Sequence, residues 1–441
     1  MIKTTKNILV IGSGAREHAI CQAFHRSKYQ PQIFIIQGNA GTSKIATNIL
    51  EINPANISDF AKISEFCKKN NIDFVFVGPE QPLTLGIVDH LKKNNIKVFG
   101  PSQSASKLEG SKIFMKKIAS DYNIPTAKYQ TFQLEDSHSL SKAYQYCQEI
   151  GFPCVIKTDG LASGKGVIIA QNLNQAKLDL AEILAGKFGD SGKKIIIEEF
   201  LDGFEVSYFV ICDGKNFLPL GFAHDHKKVG EGETGLNTGG MGTFSPSQRI
   251  SKELEAKIIS TIIKPTLEAM TNQGCEFHGI LFAGLMIKND DVKLLEFNIR
   301  LGDPETQVLL PRITTDFVDI IEHAIAKKLD KITIEFADDK KLVCVVICAK
   351  GYPEEFSKGD VIKNLNNIEN TLIKKYHDNI QILHAGTSIK NGEIIATGGR
   401  VLSVVASAKS FKEAKKIAYD AVDQIAWDHG FVRRDIANAV D

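Results

Sequence analysis

At 441 residues the chain is too long for one ordinary core, and two to four domains are expected. Its composition is 43% hydrophobic and 24% charged with a net charge of +1, which gives no electrostatic case for nucleic acid or a charged membrane surface. No apolar run approaches a membrane span, and Met1 to Lys6 leads directly into a strand, so a cytoplasmic enzyme or binding protein is the expectation. The eight cysteines (Cys21, Cys67, Cys147, Cys154, Cys212, Cys275, Cys344 and Cys348) contain no C-x-x-C pair, and several lie in apolar segments. They read as small reduced hydrophobes, not as a disulfide frame or a zinc site.

Residues 7–100 alternate strand and helix. Strands are predicted at 7–12, 32–36, 73–77 and 97–99, with helices at 16–29 and 82–94, and this rhythm implies a doubly wound parallel sheet. Gly12-Ser-Gly-Ala-Arg-Glu17 follows the first strand and opens a helix, the setting in which backbone N–H groups hold a phosphate. As a dinucleotide fingerprint it is deficient. Glu17 stands at the third glycine position, and no acidic residue follows Ile36-Gln37. A smaller phosphorylated ligand, with Arg16 helping, fits better; the alternative is a glycine turn needed only for packing.

Beyond Pro101 a Lys-rich helical stretch runs over 102–123 and is broken by Ile124-Pro-Thr126. Strands and helices then mix over 129–212, an α+β pattern. Asp159-Gly-Leu-Ala-Ser-Gly-Lys-Gly166 joins two strands and departs from a Walker A loop in its glycine spacing and in Gly166 after Lys165. It reads as a flap closing over phosphates, with Gly164 for freedom and Lys157 and Lys165 for charge. In Glu198-Glu-Phe-Leu-Asp-Gly-Phe-Glu205, extended backbone at Phe200-Leu201 could meet an adenine edge and Glu205 ribose hydroxyls; an acidic loop is the plainer alternative.

Residues 224–246 are polar and dense in glycine, as functional or disordered connections are. His224 and His226 in this stretch read as loop residues in preference to a metal pair. A hairpin is predicted over 280–300, turning at Asn289-Asp290. Its second arm leads into Glu296-Phe-Asn-Ile-Arg-Leu-Gly-Asp-Pro-Glu305, the most informative stretch of the chain. Strand alternation sends Glu296, Asn298 and Arg300 one way and Phe297 and Ile299 the other. A carboxylate beside an amide oxygen suits Mg²⁺, which shares its shell with phosphates, and a guanidinium beside them suits an anionic oxygen. The alternative is a solvated strand face. After about 325, strands at 332–335 and 342–349 and helices near 410–426 form a small closing domain. No G-x-S-x-G elbow supports a hydrolase triad.

Order and type together resemble the ATP-grasp superfamily, and within it the phosphoribosylamine–glycine ligase (glycinamide ribonucleotide synthetase) family of purine biosynthesis. The resemblance covers nearly the full length. It includes residues 8–18, Val77-Gly-Pro-Glu-Gln-Pro-Leu83, Ser111-Lys112, Lys157 to Val167 and Glu198-Glu-Phe-Leu201, and most specifically Asp225-His-Lys227, Asn237-Thr-Gly-Gly-Met-Gly242 and Glu296 to Glu305. It implies a Rossmann-like domain at 1–103, an ATP-grasp domain at 104–325 with its flap at about 124–195, and a small C-terminal α/β domain at 326–441. It implies that Lys112, Lys157, Gly164 and Lys165 hold phosphates, that Glu198, Glu199, Leu201 and Glu205 meet adenosine, and that Glu296 and Asn298 hold Mg²⁺ (or Mn²⁺). Arg300 and Lys227 would lie on the path of the transferred phosphate, with Asp225 and Asp303 beside glycine. Gly12, Gly14, Arg16, Glu17, Gly78, Pro79 and Glu80 would line the phosphoribosylamine side, and Asn237 and Gly240 would also bind substrate.

The activity so implied is ATP-dependent joining of glycine to 5-phosphoribosylamine through glycyl phosphate, by a cytoplasmic monomer or weak homodimer with no nucleic-acid or membrane partner. Rivals are an ATP-grasp ligase with other substrates, a nucleotide sensor without turnover, and a dehydrogenase. The family's usual Arg-Asp-Ile-Gly-x-Arg-Ala ending is here Arg434-Asp-Ile-Ala-Asn-Ala439, and the central cleft is expected not to depend on that tail.

Overall fold

A computed structural model describes residues 5–161, 166–425 and 427–440. Gly164 and Lys165 of the expected flap lie outside the described residues. Five strands open the chain: β1 (Asn7–Gly12), β2 (Gln32–Gln37), β3 (Thr47–Ile49), β4 (Phe74–Val77) and β5 (Val98–Phe99). All pair in parallel, in the order β3-β2-β1-β4-β5. Their Val, Ile and Phe runs are buried throughout the middle of the sheet, as strands covered on both faces require. The helix expected at 82–94 is two, Glu80–Thr84 and Ile87–Lys93, because Gly86 between them is left-handed at φ 88°.

A second sheet lies within the segment expected to form the flap. β6 (Tyr129–Gln133), β7 (Cys154–Thr158), β8 (Val167–Ala170) and β9 (Lys194–Glu199) are antiparallel in the order β6-β9-β7-β8. Cys154, Ile156, Ile195 and Ile197 pack into one core with Ala143, Cys147, Ala176 and Leu180 of the helices Ser137–Ile150 and Leu173–Leu184. Strand alternation therefore turns Lys157 and Glu198 to the other face, toward the cleft.

The third sheet is the largest. It is built from β10 (Phe204–Asp213), β11 (Phe217–Asp225), β14 (Gly242–Ser245), β15 (His278–Lys288), β16 (Asp291–Asn298), β17 (Lys341–Ala349), β18 (Ile380–His384) and β21 (Arg400–Ala408), with a ribbon of β12 (Lys228–Gly230) and β13 (Thr234–Asn237) between β11 and β14, and a hairpin of β19 (Thr387–Lys390) and β20 (Glu393–Ala396) beside it. The order β16-β15-β10-β11-β14-β17-β21-β18 makes the C-terminal strands continue the central sheet through β14 and β17. Residues 332–335 form no strand: their neighbourhood offers only the isolated bridge from Ile313 to Phe336. His224 lies in β11, not in a loop. Its ring stacks on Phe244 and both ring nitrogens have partners, the Glu205 carbonyl and the Ser247 hydroxyl. All eight cysteines are free thiols, and all but Cys275 are buried.

Between β15 and β16 the turn falls at Asn289 and Asp290, whose φ values of 51° and 60° match the type I′ hairpin that such residues favour. The ladder then shifts. Gly284 faces Glu296 while Leu285 faces Leu294, so Leu295 is an extra residue and β16 is bulged there. The bulge lets Leu294 and Phe297 both enter the core although they are three residues apart. Phe297 and Ile299 are then buried in that core, which leaves Glu296, Asn298 and Arg300 to the cleft.

No helix among the described residues is long and apolar enough to cross a membrane.

Candidate active site

Glu296 is the centre of charge in the cleft. Burial opposes its ionisation, but Lys227, Lys157, Lys112 and Arg300 together hold its carboxyl below the usual range. These four cations come from four separate segments of the chain. Lys157 on β7 donates from Nζ to the Leu295 carbonyl at 3.3 Å, at the bulge, which ties the second sheet to β16. Lys112, at the start of the helix Lys112–Asp121, donates to the Gly160 carbonyl at 2.9 Å, and burial lowers its pKa. Among the described residues no three His, Cys, Asp or Glu groups are grouped to hold a metal ion unaided. Glu296 and Asn298 supply two hard oxygens, a set that fits Mg²⁺ sharing its shell with phosphates.

Arg300 joins the N-terminal sheet to this centre. Its Nε donates to Glu80 Oε2 at 3.2 Å, and its Nη2 donates to Glu109 Oε1 at 2.7 Å and to Asn298 Oδ1 at 3.1 Å. Arg16 approaches the same Glu80 oxygen at 3.9 Å and donates to the Leu301 carbonyl at 3.2 Å. Against the penalty of burial, Arg300 and Arg16 hold Glu80 down to about 2. Pro79 caps the helix that Glu80 begins, and Gly78 follows β4 close to Glu17.

Glu17 explains the unusual glycine pattern. Its carboxylate accepts from the Gly14 N–H at 2.7 Å and pairs with Arg16 Nε at 2.5 Å, capping its own helix. A Cβ on Gly12, Gly14 or Gly78 would stand within 3 Å of Glu17 atoms, so the three glycines make room for this side chain.

Glu109 was not singled out from sequence, because only the fold brings it to the strand end. It accepts from the Ile299 N–H at 2.9 Å as well as from Arg300. Burial pushes its carboxyl up to about 6 despite Arg300. As pH falls through about 6, Glu109 gains a proton and loses its charge on Arg300. An acid limb of kcat/KM with a midpoint near that value is therefore expected, and Glu109→Gln should show the depressed activity at every pH without that limb. A full limb in the variant would contradict this role.

Glu198, Glu199, Leu201 and Glu205 follow one another off the end of β9. Glu198 is buried between two lysines, Lys157 at 3.1 Å from Oε2 and Lys116 at 3.2 Å from Oε1. Glu199 faces elsewhere: it accepts from the Lys128 N–H at 3.1 Å and from Lys293 Nζ at 3.0 Å on β16. Leu201 is half-buried in irregular backbone. Glu205 pairs with Lys227, whose ammonium is held charged, despite burial, by Glu205, Glu296 and Asp225.

Asp225 closes the far wall. Burial and the neighbouring Glu305 push its carboxyl well above the ordinary range, and its Oδ1 has no hydrogen-bond partner. Gly240 passes beside it at φ 114°, and a Cβ there would lie 2.4 Å from Pro304 Cδ and 2.7 Å from Asp225 Oδ1. Gly240→Ala is therefore expected to lower stability by about 1–3 kcal/mol and to raise the KM of the amino substrates. Unchanged melting temperature and KM would contradict the packing. Asn237 ends β13, opposite Lys228.

Arg400, from the C-terminal part and also unforeseen, donates from Nη1 to the carbonyls of Gly239 and Asp303, the latter at 2.6 Å. Its Nη2 lies 3.5 Å from Asp303 Oδ2, and Arg400 and Arg16 hold the Asp303 carboxyl low against burial. The tail contacts the β12–β13 ribbon. Buried Arg433 donates to the Lys228 carbonyl, Glu233 and Asp435, fixing the β12–β13 ribbon between Lys227 and Asn237.

A flap sheet facing a strand of acidic, amide and guanidinium groups, with lysines on both sides, is the architecture of an ATP-grasp ligase. Family models for the N domain, the ATP-grasp (A) domain and the C domain of phosphoribosylglycinamide synthetase match residues 6–109, 110–306 and 342–439. The chain belongs to this family, the phosphoribosylamine–glycine ligases. It is 43% identical over 429 residues to the phosphoribosylamine–glycine ligase of Brucella melitensis, covering 97% of each chain. It is 45% identical to the chloroplastic phosphoribosylamine–glycine ligase of Arabidopsis thaliana over 96% of this chain and 78% of that protein. The crystal structure of phosphoribosylamine–glycine ligase from Thermotoga maritima superposes with a TM-score of 0.81 at 30% identity, covering 98% of this chain and all of that one.

Proposed function

We propose that this chain joins glycine to 5-phosphoribosylamine with ATP, giving glycinamide ribonucleotide, ADP and phosphate. The observation that carries the reading is the convergence of Lys112, Lys157, Lys227 and Arg300 on buried Glu296. A carboxylate resists attack by an amine because its charge is delocalised and oxide cannot leave. Phosphorylating glycine's carboxylate gives glycyl phosphate, whose phosphate leaves when the amine attacks. The protein supplies position and charge, with no covalent nucleophile.

Lys112 and Lys157 hold the nucleotide phosphates, and the Glu198–Glu205 stretch holds adenosine. Glu296 and Asn298 hold Mg²⁺ or Mn²⁺, which when bound neutralises charge on the phosphates. Arg300 and Lys227 orient the transferred phosphoryl group. Asp225 and Asp303 face the glycine, while the Gly12–Glu17 loop, Gly78, Pro79, Glu80, Asn237 and Gly240 border the phosphoribosylamine. The same reading takes the units 1–103, 104–325 and 326–441 as its domains, in a cytoplasmic monomer or weak homodimer.

Phosphate release from ATP in the presence of Mg²⁺ tests it, with glycine and phosphoribosylamine supplied separately and together. Sustained release is expected only with both. Release that does not depend on phosphoribosylamine would defeat the substrate assignment.

A further inference from the structure

Lys116 is a fully buried lysine one helical turn beyond Lys112, with its side chain at 0% exposure. Its ammonium donates to Thr126 Oγ1 at 2.7 Å, lies 3.2 Å from Glu198 Oε1 and sits 5.1 Å from the centre of the Tyr129 ring. Thr126 in turn donates to the Leu294 carbonyl at 2.7 Å, next to the β16 bulge. Glu198 uses its other oxygen, Oε2, for Lys157 at 3.1 Å. The result is a chain, Lys116–Glu198–Lys157–Leu295 carbonyl, that crosses from the helix to β9, to β7 and to β16.

Burying this ammonium is costly, since burial drags its pKa down to about 8 against the pull of Glu198. A methionine would fill similar space without that penalty. The charge therefore needs a reason beyond packing. With Lys116 absent, Glu198 would keep one cation for two carboxylate oxygens, and Lys157 would be drawn inward between them. With Lys116 present, one oxygen faces that ammonium, and Lys157 is held at the other and at the Leu295 carbonyl, with its third N–H left for the cleft.

We propose that Lys116 is a positioning residue for nucleotide binding, anchoring Glu198 so that Glu198 sets the place of Lys157 without Lys116 touching any substrate. The inference rests on the reading of Lys157 as a phosphate-holding residue.

Steady-state kinetics of Lys116→Met, Glu198→Gln and the double variant test it. Lys116→Met is expected to raise the KM for ATP about tenfold while the KM values for glycine and phosphoribosylamine move less than about twofold. The double variant should be no worse than Glu198→Gln alone, because both act through one chain. An unchanged KM for ATP, additive losses in the double variant, or a joint rise of all three KM values with a lowered melting temperature would each overturn it. Should Lys116→Met fail to fold, Thr126→Val removes the hydroxyl that accepts from Lys116 and donates to the Leu294 carbonyl; a selective rise in the KM for ATP is expected, and none would overturn the proposal. Lys157→Met serves as the separate arm: an unchanged KM for ATP there would defeat the underlying reading of Lys157 itself.

Discussion

Glu296→Gln is expected to lower kcat by about 10²–10³-fold while leaving the fold intact, because it removes the charge on which four cations converge. The amide keeps the shape and one oxygen but supplies no charge to a divalent cation. It also leaves Lys112, Lys157, Lys227 and Arg300 facing one another without their common anion. Two measurements check the result: kcat across a Mg²⁺ titration, and the melting temperature. The wild-type dependence on Mg²⁺ in a folded variant would remove Glu296 from the metal site.

Arg300→Lys is expected to cost nearly as much, about 10²-fold or more in kcat/KM, although the charge is kept. A guanidinium spans Glu80, Glu109 and the Asn298 amide at once from a planar fork. An ammonium can meet one or two of these, and it leaves buried Glu109 without its cation. Asn298 loses the donor that fixes its amide, so the oxygen proposed to hold Mg²⁺ would turn freely. Because Arg300 also links Glu80, at the start of the helix that follows β4, to the end of β16, both ATP and phosphoribosylamine KM values should rise. A near-normal Arg300→Lys enzyme would contradict the role of the fork.

The part of the site legible in the sequence lies where local periodicity does the work. Alternation along β16 already separated Glu296, Asn298 and Arg300 from Phe297 and Ile299, and the Asn289–Asp290 pair announced the turn before it. Even so the Leu295 bulge was hidden, since it depends on which residues of β15 stand opposite. The Gly12–Glu17 loop was legible as a departure from a dinucleotide site, but its cause, a carboxylate seated among three glycines, needed Gly78 from another strand. Glu109, Lys116 and Arg400 carried no local signal. Each is an ordinary charged residue until the fold sets it against Arg300, Glu198 and Asp303 respectively. The division at 326 was drawn from a change in rhythm, whereas β14 and β17 pair directly across it.

Isotope transfer tests the chemistry most directly. With glycine carrying ¹⁸O in its carboxylate, the released phosphate should gain one labelled oxygen for each glycinamide ribonucleotide formed, since that oxygen bridges carbon and phosphorus before the amine attacks. Phosphate free of label alongside labelled amide product would contradict phosphorylation of the glycine carboxylate.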